Sequence, residues 1–145
     1  MNKKFVSLFG EFQRIPKGVL IDRPDELIMT SIKLSYEIRM VIGIREEYVA
    51  FSRLSLKHVA EKGKEGRKLL LALPGLLSKT IEIRAGRQDN RFQIVSSDKD
   101  YKDGRPHSVI VECTEKGDGV IVTLFQTNER YLGRYELLWR TAGIG

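Results

Sequence analysis

The chain has 145 residues, 41% of them hydrophobic and 30% charged, with a formal net charge of +6 and one cysteine. That length buries one continuous core, so a single α+β domain over residues 1–145 is expected rather than two domains or a disordered chain. Cys113 has no partner for an internal disulfide, and its place in the apolar run Val109, Ile110, Val111 fits a small buried hydrophobe. No run approaches the roughly 18 to 20 apolar residues of a membrane span, and Glu11 and Arg14 follow Met1 to Phe9 before a signal-length apolar core forms. A cytoplasmic location and no membrane partner are the default expectations, and the basic balance favours partners that carry phosphate.

In chain order, Ile32 to Met40 alternates apolar and polar at every step and predicts a strand, in preference to a helix opening at Pro24 and Asp25. Glu47 to Arg53 predicts a short strand, and Ser55 an N-cap for a helix through Leu56, Val59 and Ala60 that Gly63 ends. A second helix is predicted from Glu65 to Leu73, stopped by Pro74 and Gly75. Strands follow at Thr80 to Arg84, Arg91 to Ser96, Ser108 to Thr114 and Gly119 to Thr127, the last two joined by the hairpin signal Glu115-Lys116-Gly117-Asp118. The stretch from Arg130 to Arg140 has a helical face weakened by Gly133. The expected architecture is an antiparallel four-stranded meander with two helices packed on one face, preceded by a strand-rich segment: residues 1–46 form an N-terminal extension and 47–140 the core.

The richest stretch for chemistry is Ser52 to Lys64, where His58 stands among Arg53, Lys57, Lys62 and Lys64, with Arg67 and Lys68 close behind. On a helix Lys62 neighbours His58 four residues earlier, joining a proton acceptor to a phosphate holder. A solvated charged face carrying an idle histidine accounts for the same residues equally well. With only His58 and His107, and one cysteine, there is no metal-ligand spacing. Asp98 to Gly104 departs from a calcium loop where lysine fills the third ligand position, and Gly63 to Lys68 lacks the glycine spacing of a phosphate-cradling loop. No metal and no cofactor are expected. The chemistry that suits this inventory is RNA cleavage by the RNA's own 2′-hydroxyl, which needs a proton acceptor, a proton donor and groups that stabilise the pentavalent phosphate. Alternation places Thr123 and Thr127 on one face with Ile121 and Phe125, and Arg91 with Gln93 opposite Phe92 and Ile94. Threonine is also an ordinary β-former, the commoner reason to find it on a strand.

Val49-Ala50-Phe51-Ser52-Arg53-Leu54-Ser55-Leu56-Lys57-His58-Val59 resembles the opening of the barnase, EndoU, colicin and RelE-like nuclease superfamily, in its phage-associated branch. Later pieces recur in the family's order: Leu73-Pro74 before Ile81-Glu82-Ile83, then Arg91-Phe92-Gln93-Ile94-Val95, Val109-Ile110-Val111-Glu112, Ile121-Val122-Thr123-Leu124-Phe125 and Tyr131-Leu132. The resemblance covers about two thirds of the chain, from Tyr48 to Arg140, by pattern rather than by a diagnostic motif. It implies a compact α+β fold and a metal-independent endoribonuclease of toxin or phage type, leaving 2′,3′-cyclic phosphate and 5′-hydroxyl ends. By position His58 carries over as the helix histidine, acting as general base or acid, and Thr123 as the strand hydroxyl that orients the phosphate. Arg91 and Tyr131 match more loosely. Arg91, Lys57 and Lys62 are expected to stabilise the phosphate's developing charge, with Lys64, Arg84, Thr127 and Tyr131 completing the RNA-binding set. A two-histidine site needs a second imidazole, for which His107 beside Pro106 is the remaining histidine. The implied partners are RNA and an antitoxin or immunity protein. The rival readings are a non-catalytic RNA-binding or phage structural module and a basic protein–protein adaptor.

Overall fold

The structure, a computed structural model, describes residues 24–97 and 105–141. The readings of residues 1–9 and of the acidic loop 98–104 lie outside the described residues.

Strand β1 (Leu27–Lys33) pairs antiparallel with β2 (Tyr48–Ser52), setting Ile28 opposite Phe51 and Met29 opposite Ala50. Between them lies α1 (Tyr36–Ile42), so the strand expected over Ile32 to Met40 is formed only at Ile32 and Lys33, the end of β1. The Ser35 hydroxyl accepts the Ile38 amide at 3.3 Å and starts the helix, and Gly43 ends it at φ 90°, where a residue with a Cβ is strained. The same residues that alternate also set Leu34, Ile38 and Ile42 four apart. Burial of all three, together with the cap, decides for the helix.

Helix α2 (Arg53–Glu61) follows β2 directly, and α3 (Lys64–Ser78) follows α2. The N-cap is Ser52, three residues before the expected Ser55, which instead sits at the third helical position and completes a capping box: the amide of each serine donates to the other's hydroxyl at 3.0 Å. The expected stop at Pro74 is overridden. Proline withholds the amide that would reach Leu70, but Leu69, Leu70, Leu73, Leu76 and Leu77 bury one face on both sides of it and carry the helix to Ser78. Fully burying each such leucine stabilises by about 1.5–3 kcal/mol, in the range of the cost of an interior proline. Gly66 lets the two helices meet, since a Cβ there would stand 2.0 Å from the Val59 carbonyl oxygen.

Strands β3 (Thr80–Ala85), β4 (Arg91–Ser96), β5 (His107–Cys113) and β6 (Gly119–Gln126) pair antiparallel in succession. A short α4 (Glu129–Leu132) and β7 (Leu137–Arg140) follow, so the stretch Arg130 to Arg140, whose helical face Gly133 weakened, holds the end of a single helical turn and a strand. The sheet order is β1-β2-β6-β5-β4-β3-β7, parallel only between β2 and β6. The fold is therefore a seven-stranded mixed sheet with four helices among the described residues, and the expected four-stranded antiparallel meander with two helices is incorrect. Two long-range pairings make the difference: β2 joins β6 across the α2 to β5 stretch, and β7 returns to β3. A parallel pair needs such a long crossover, and its register leaves no local turn signal.

Helices α1, α2 and α3 cover one face of the sheet. Their apolar residues join Val49, Phe51, Ile83, Ile94, Val109, Val111, Ile121 and Leu124 in one core. The other face carries Ala50, Glu82, Gln93, Val95, Ser108 and Val120, also buried. Helix α4 lies over this second face, with Tyr131 against Phe125 of β6 and the Leu132 carbonyl accepting from the Arg84 side chain of β3. Cys113 is only partly buried against the core; burial pushes its thiol up, and Sγ donates to the Gly43 carbonyl at 3.4 Å. No helix among the described residues is long and apolar enough to cross a membrane.

Candidate functional site

The site begins with the hinge between β2 and α2. Val49, Ala50 and Phe51 are fully buried, so the chain enters α2 from a fixed strand, and the Ser52–Ser55 capping box sets the first turn. Leu56, Val59 and Ala60 turn to the core, which leaves Ser52, Ser55 and His58, three apart, on a shared side. These three line an open cleft of about 1010 Å³. Its floor and far wall are Val120 and Val122 of β6, Glu112 of β5 and Arg91 of β4, and the hairpin Thr114 to Asp118 forms the rim.

Arg91 and Glu112 are cross-strand neighbours, and the Arg91 Nε donates to Glu112 Oε1 at 3.2 Å. Both are partly exposed, so the pair is open to a ligand and to water. The cleft holds five carboxylates, from Asp25, Glu46, Glu112, Glu115 and Asp118, against the cations of Arg91 and Lys116. The cleft is therefore rich in carboxylates, with Arg91 as its strand-borne cation, and does not form a broadly basic surface.

Thr123 does not line this cleft. A bulge at Val122 shifts the β5–β6 register, so Ile110 faces Thr123 while Val111 faces Ile121. The extra residue sends Ile121 and Leu124 to the core and Thr123 to the second face, one row beyond Arg91 and Glu112, where Ile121 had been expected beside it. There the Lys62 ammonium donates to the Thr123 hydroxyl at 3.2 Å and to the Leu124 carbonyl at 2.8 Å. Burial pulls the Lys62 pKa down.

The other sequence-derived candidates scatter. Lys57 pairs with Glu61 along α2, and its hydrogen bond holds the Glu61 carboxyl below its ordinary range. Lys64 is exposed at the start of α3. Arg84 is committed to structure: its Nε donates to Glu82 at 2.7 Å, and a guanidinium nitrogen donates to the carbonyls of Leu132 at 3.2 Å and Tyr135 at 2.9 Å. Thr127 is buried, with a hydroxyl that meets no partner among the described residues. Tyr131 packs on Phe125 and Tyr135. His107 opens β5, one residue before the strand start expected at Ser108, with no exposed surface; alternation puts it on the core side with Val109 and Val111.

Glu112 was overlooked in the sequence. Its signal was a lone acid closing the apolar run Val109 to Val111, but only the β4–β5 register sets it opposite Arg91. Among the described residues, no three His, Cys, Asp or Glu side chains cluster as metal ligands would. No protein-family model matches the chain. No curated protein and no solved structure matches it either.

Proposed function

We propose that the chain is an endoribonuclease that cleaves single-stranded RNA by attack of the RNA's own 2′-hydroxyl, without a metal. The observation that supports this reading is that His58, Arg91 and Glu112 line one open cleft. The reaction asks for a group that removes the 2′-hydroxyl proton, a group that protonates the 5′-leaving oxygen, and a cation on the non-bridging oxygens. Histidine and glutamate are suited to the proton transfers, and the planar arginine fork to the phosphate, with its orientation set by Glu112. The 2′-oxygen bonds to phosphorus as the bond to the 5′-oxygen breaks, giving a 2′,3′-cyclic phosphate and a 5′-hydroxyl. Thr123 and Lys62, in the next row, are assigned to the adjoining phosphate rather than to the reacting one.

The test is turnover on varied single-stranded RNAs in EDTA, with the ends of the products identified. His58→Ala is expected to lower turnover by roughly 10² to 10⁴ with affinity little changed. Wild-type protein that is inert on RNA, or a His58→Ala variant as active as wild type, removes the reading. The carboxylate excess of the cleft favours one alternative, a non-catalytic RNA-binding module whose contacts lie outside the cleft. That alternative predicts steeply salt-dependent binding with no turnover.

A further inference from the structure

The second face of the sheet carries an aromatic cluster that the cleavage chemistry leaves unused. The Tyr131 ring meets Phe125 edge-on, with centroids 5.5 Å apart and planes at 84°, and Tyr135 lies 5.3 Å from Tyr131 at 51°. Arg87, from the turn between β3 and β4, donates its Nε to the Tyr135 hydroxyl at 3.3 Å. Arg87 and Arg134 are both exposed, and neither forms an ion pair with a carboxylate among the described residues.

The cluster is held in advance. Glu82, 6% exposed, accepts from Arg84 at 2.7 Å and from Arg140 at 3.1 Å, and Arg84 then pins the carbonyls of Leu132 and Tyr135. The segment that carries the two tyrosines is thus fixed to the sheet before any ligand arrives, which lowers the ordering cost of binding. The hydrogen bond from Arg87 pulls the Tyr135 phenol down, in keeping with a cation-rich rim.

Phe125 stands in the row of Ser108 and Val95, four β4 residues from Arg91. At the rise of a strand that is about 13 Å. The intervening row holds Gln93, Ile110 and Thr123, so one face of the sheet leads from the cleft to the aromatic cluster.

We propose that Tyr131 and Tyr135, flanked by Arg87 and Arg134, are a stacking ledge for an unpaired RNA base lying outside the cleaved linkage. This rests on the RNA-cleavage reading above. Aromatic rings bind bases through their faces and tolerate every base, and neighbouring arginines add charge for the phosphates and planes for stacking. The ledge makes the enzyme favour longer single strands without selecting sequence there.

The experiment compares a diribonucleotide, which fills the cleft alone, with a longer single-stranded oligoribonucleotide, reading kcat/KM on each and affinity for each. Tyr135→Ala and Arg87→Gln are expected to lower kcat/KM and affinity for the longer strand by roughly 5- to 100-fold, the scale of one stacked base. The diribonucleotide is expected to be unaffected, and Tyr135→Phe, which keeps the ring, to behave as wild type. Both side chains lie at the surface, and melting curves check that the variants fold. Equal losses on both substrates, or none on the longer one, overturn the ledge while wild-type cleavage stands. Wild-type protein that neither cleaves nor binds RNA overturns the ledge together with the reading it rests on.

Discussion

Lys62 ties the end of α2 to the edge of β6, reaching the Thr123 hydroxyl at 3.2 Å and the Leu124 carbonyl at 2.8 Å. The register between β2 and β6 runs only from Ala50 opposite Val120 to Phe51 opposite Ile121, so the β6 edge beyond needs another donor. Lys62→Met keeps the stem and removes that donor. It is expected to cost about 1 kcal/mol in chemical denaturation. Thr123→Val removes one acceptor and keeps the β-branched shape, so it is expected to leave stability nearly unchanged. If the adjoining-phosphate assignment holds, both variants raise KM more than they lower kcat; an unchanged KM in both rejects it.

Gly66 offers a test of the α2–α3 crossing. In an open helix, glycine to alanine stabilises by up to about 1 kcal/mol. Here the added Cβ would lie 2.0 Å from the Val59 backbone oxygen, and the Lys62 Cβ is 3.1 Å away. Gly66→Ala is therefore expected to destabilise by about 2–3 kcal/mol or more, since backbone rather than a side-chain tip must move. A melting temperature equal to or above that of the wild type contradicts the crossing.

What was legible in the sequence was local. Arg91 to Ser96 carries the β-formers of a strand, and the observed β4 has those bounds, although both of its sides are buried from Gln93 onward. Ser55 signalled the cap, but placing it at Ser52 requires knowing that β2 ends there, just after Phe51 meets Ile121 in a parallel pair. Pro74 misled because its local preference is a stop, whereas the leucines on either side are held by burial that only the folded sheet supplies. The cleft was half legible. His58 and Arg91 stood out as residue types, but Glu112 enters through register, and Thr123 leaves the cleft through a one-residue bulge that alternation cannot foresee.

Glu82 gives a pH-dependent prediction. Burial pushes its carboxyl up, but its bonds to Arg84 and Arg140 outweigh that and hold it below the ordinary 4.5. A carboxyl with a depressed folded pKa adds stability that is complete above the unfolded value and is lost as pH falls through the folded one. Glu82→Gln is thus expected to be less stable by about 1–3 kcal/mol at pH 7. The gap should hold down to the region of 4.5 and narrow below it. A gap that stays constant into strong acid, measured by urea denaturation across pH, rules out the ionised carboxylate as its source.

The Arg91–Glu112 pair separates a catalytic role from a structural one. Both side chains are about one third exposed, and a pair so placed contributes at most about 1 kcal/mol to folding. Arg91→Gln and Glu112→Gln are therefore expected to fold, and their turnover can be read directly. On the RNA-cleavage proposal, loss of the Arg91 cation is expected to lower kcat by roughly 10² to 10³. On the same proposal, loss of Glu112 would remove a proton-transfer group and free Arg91 to turn away, so its effect is expected to be at least as large. If the two act as one unit, the double variant loses about as much as the worse single variant rather than the product of the two losses. Measured single and double losses that multiply assign the residues independent tasks. Turnover unchanged in all three variants removes the pair from the chemistry and returns it to the surface of the fold.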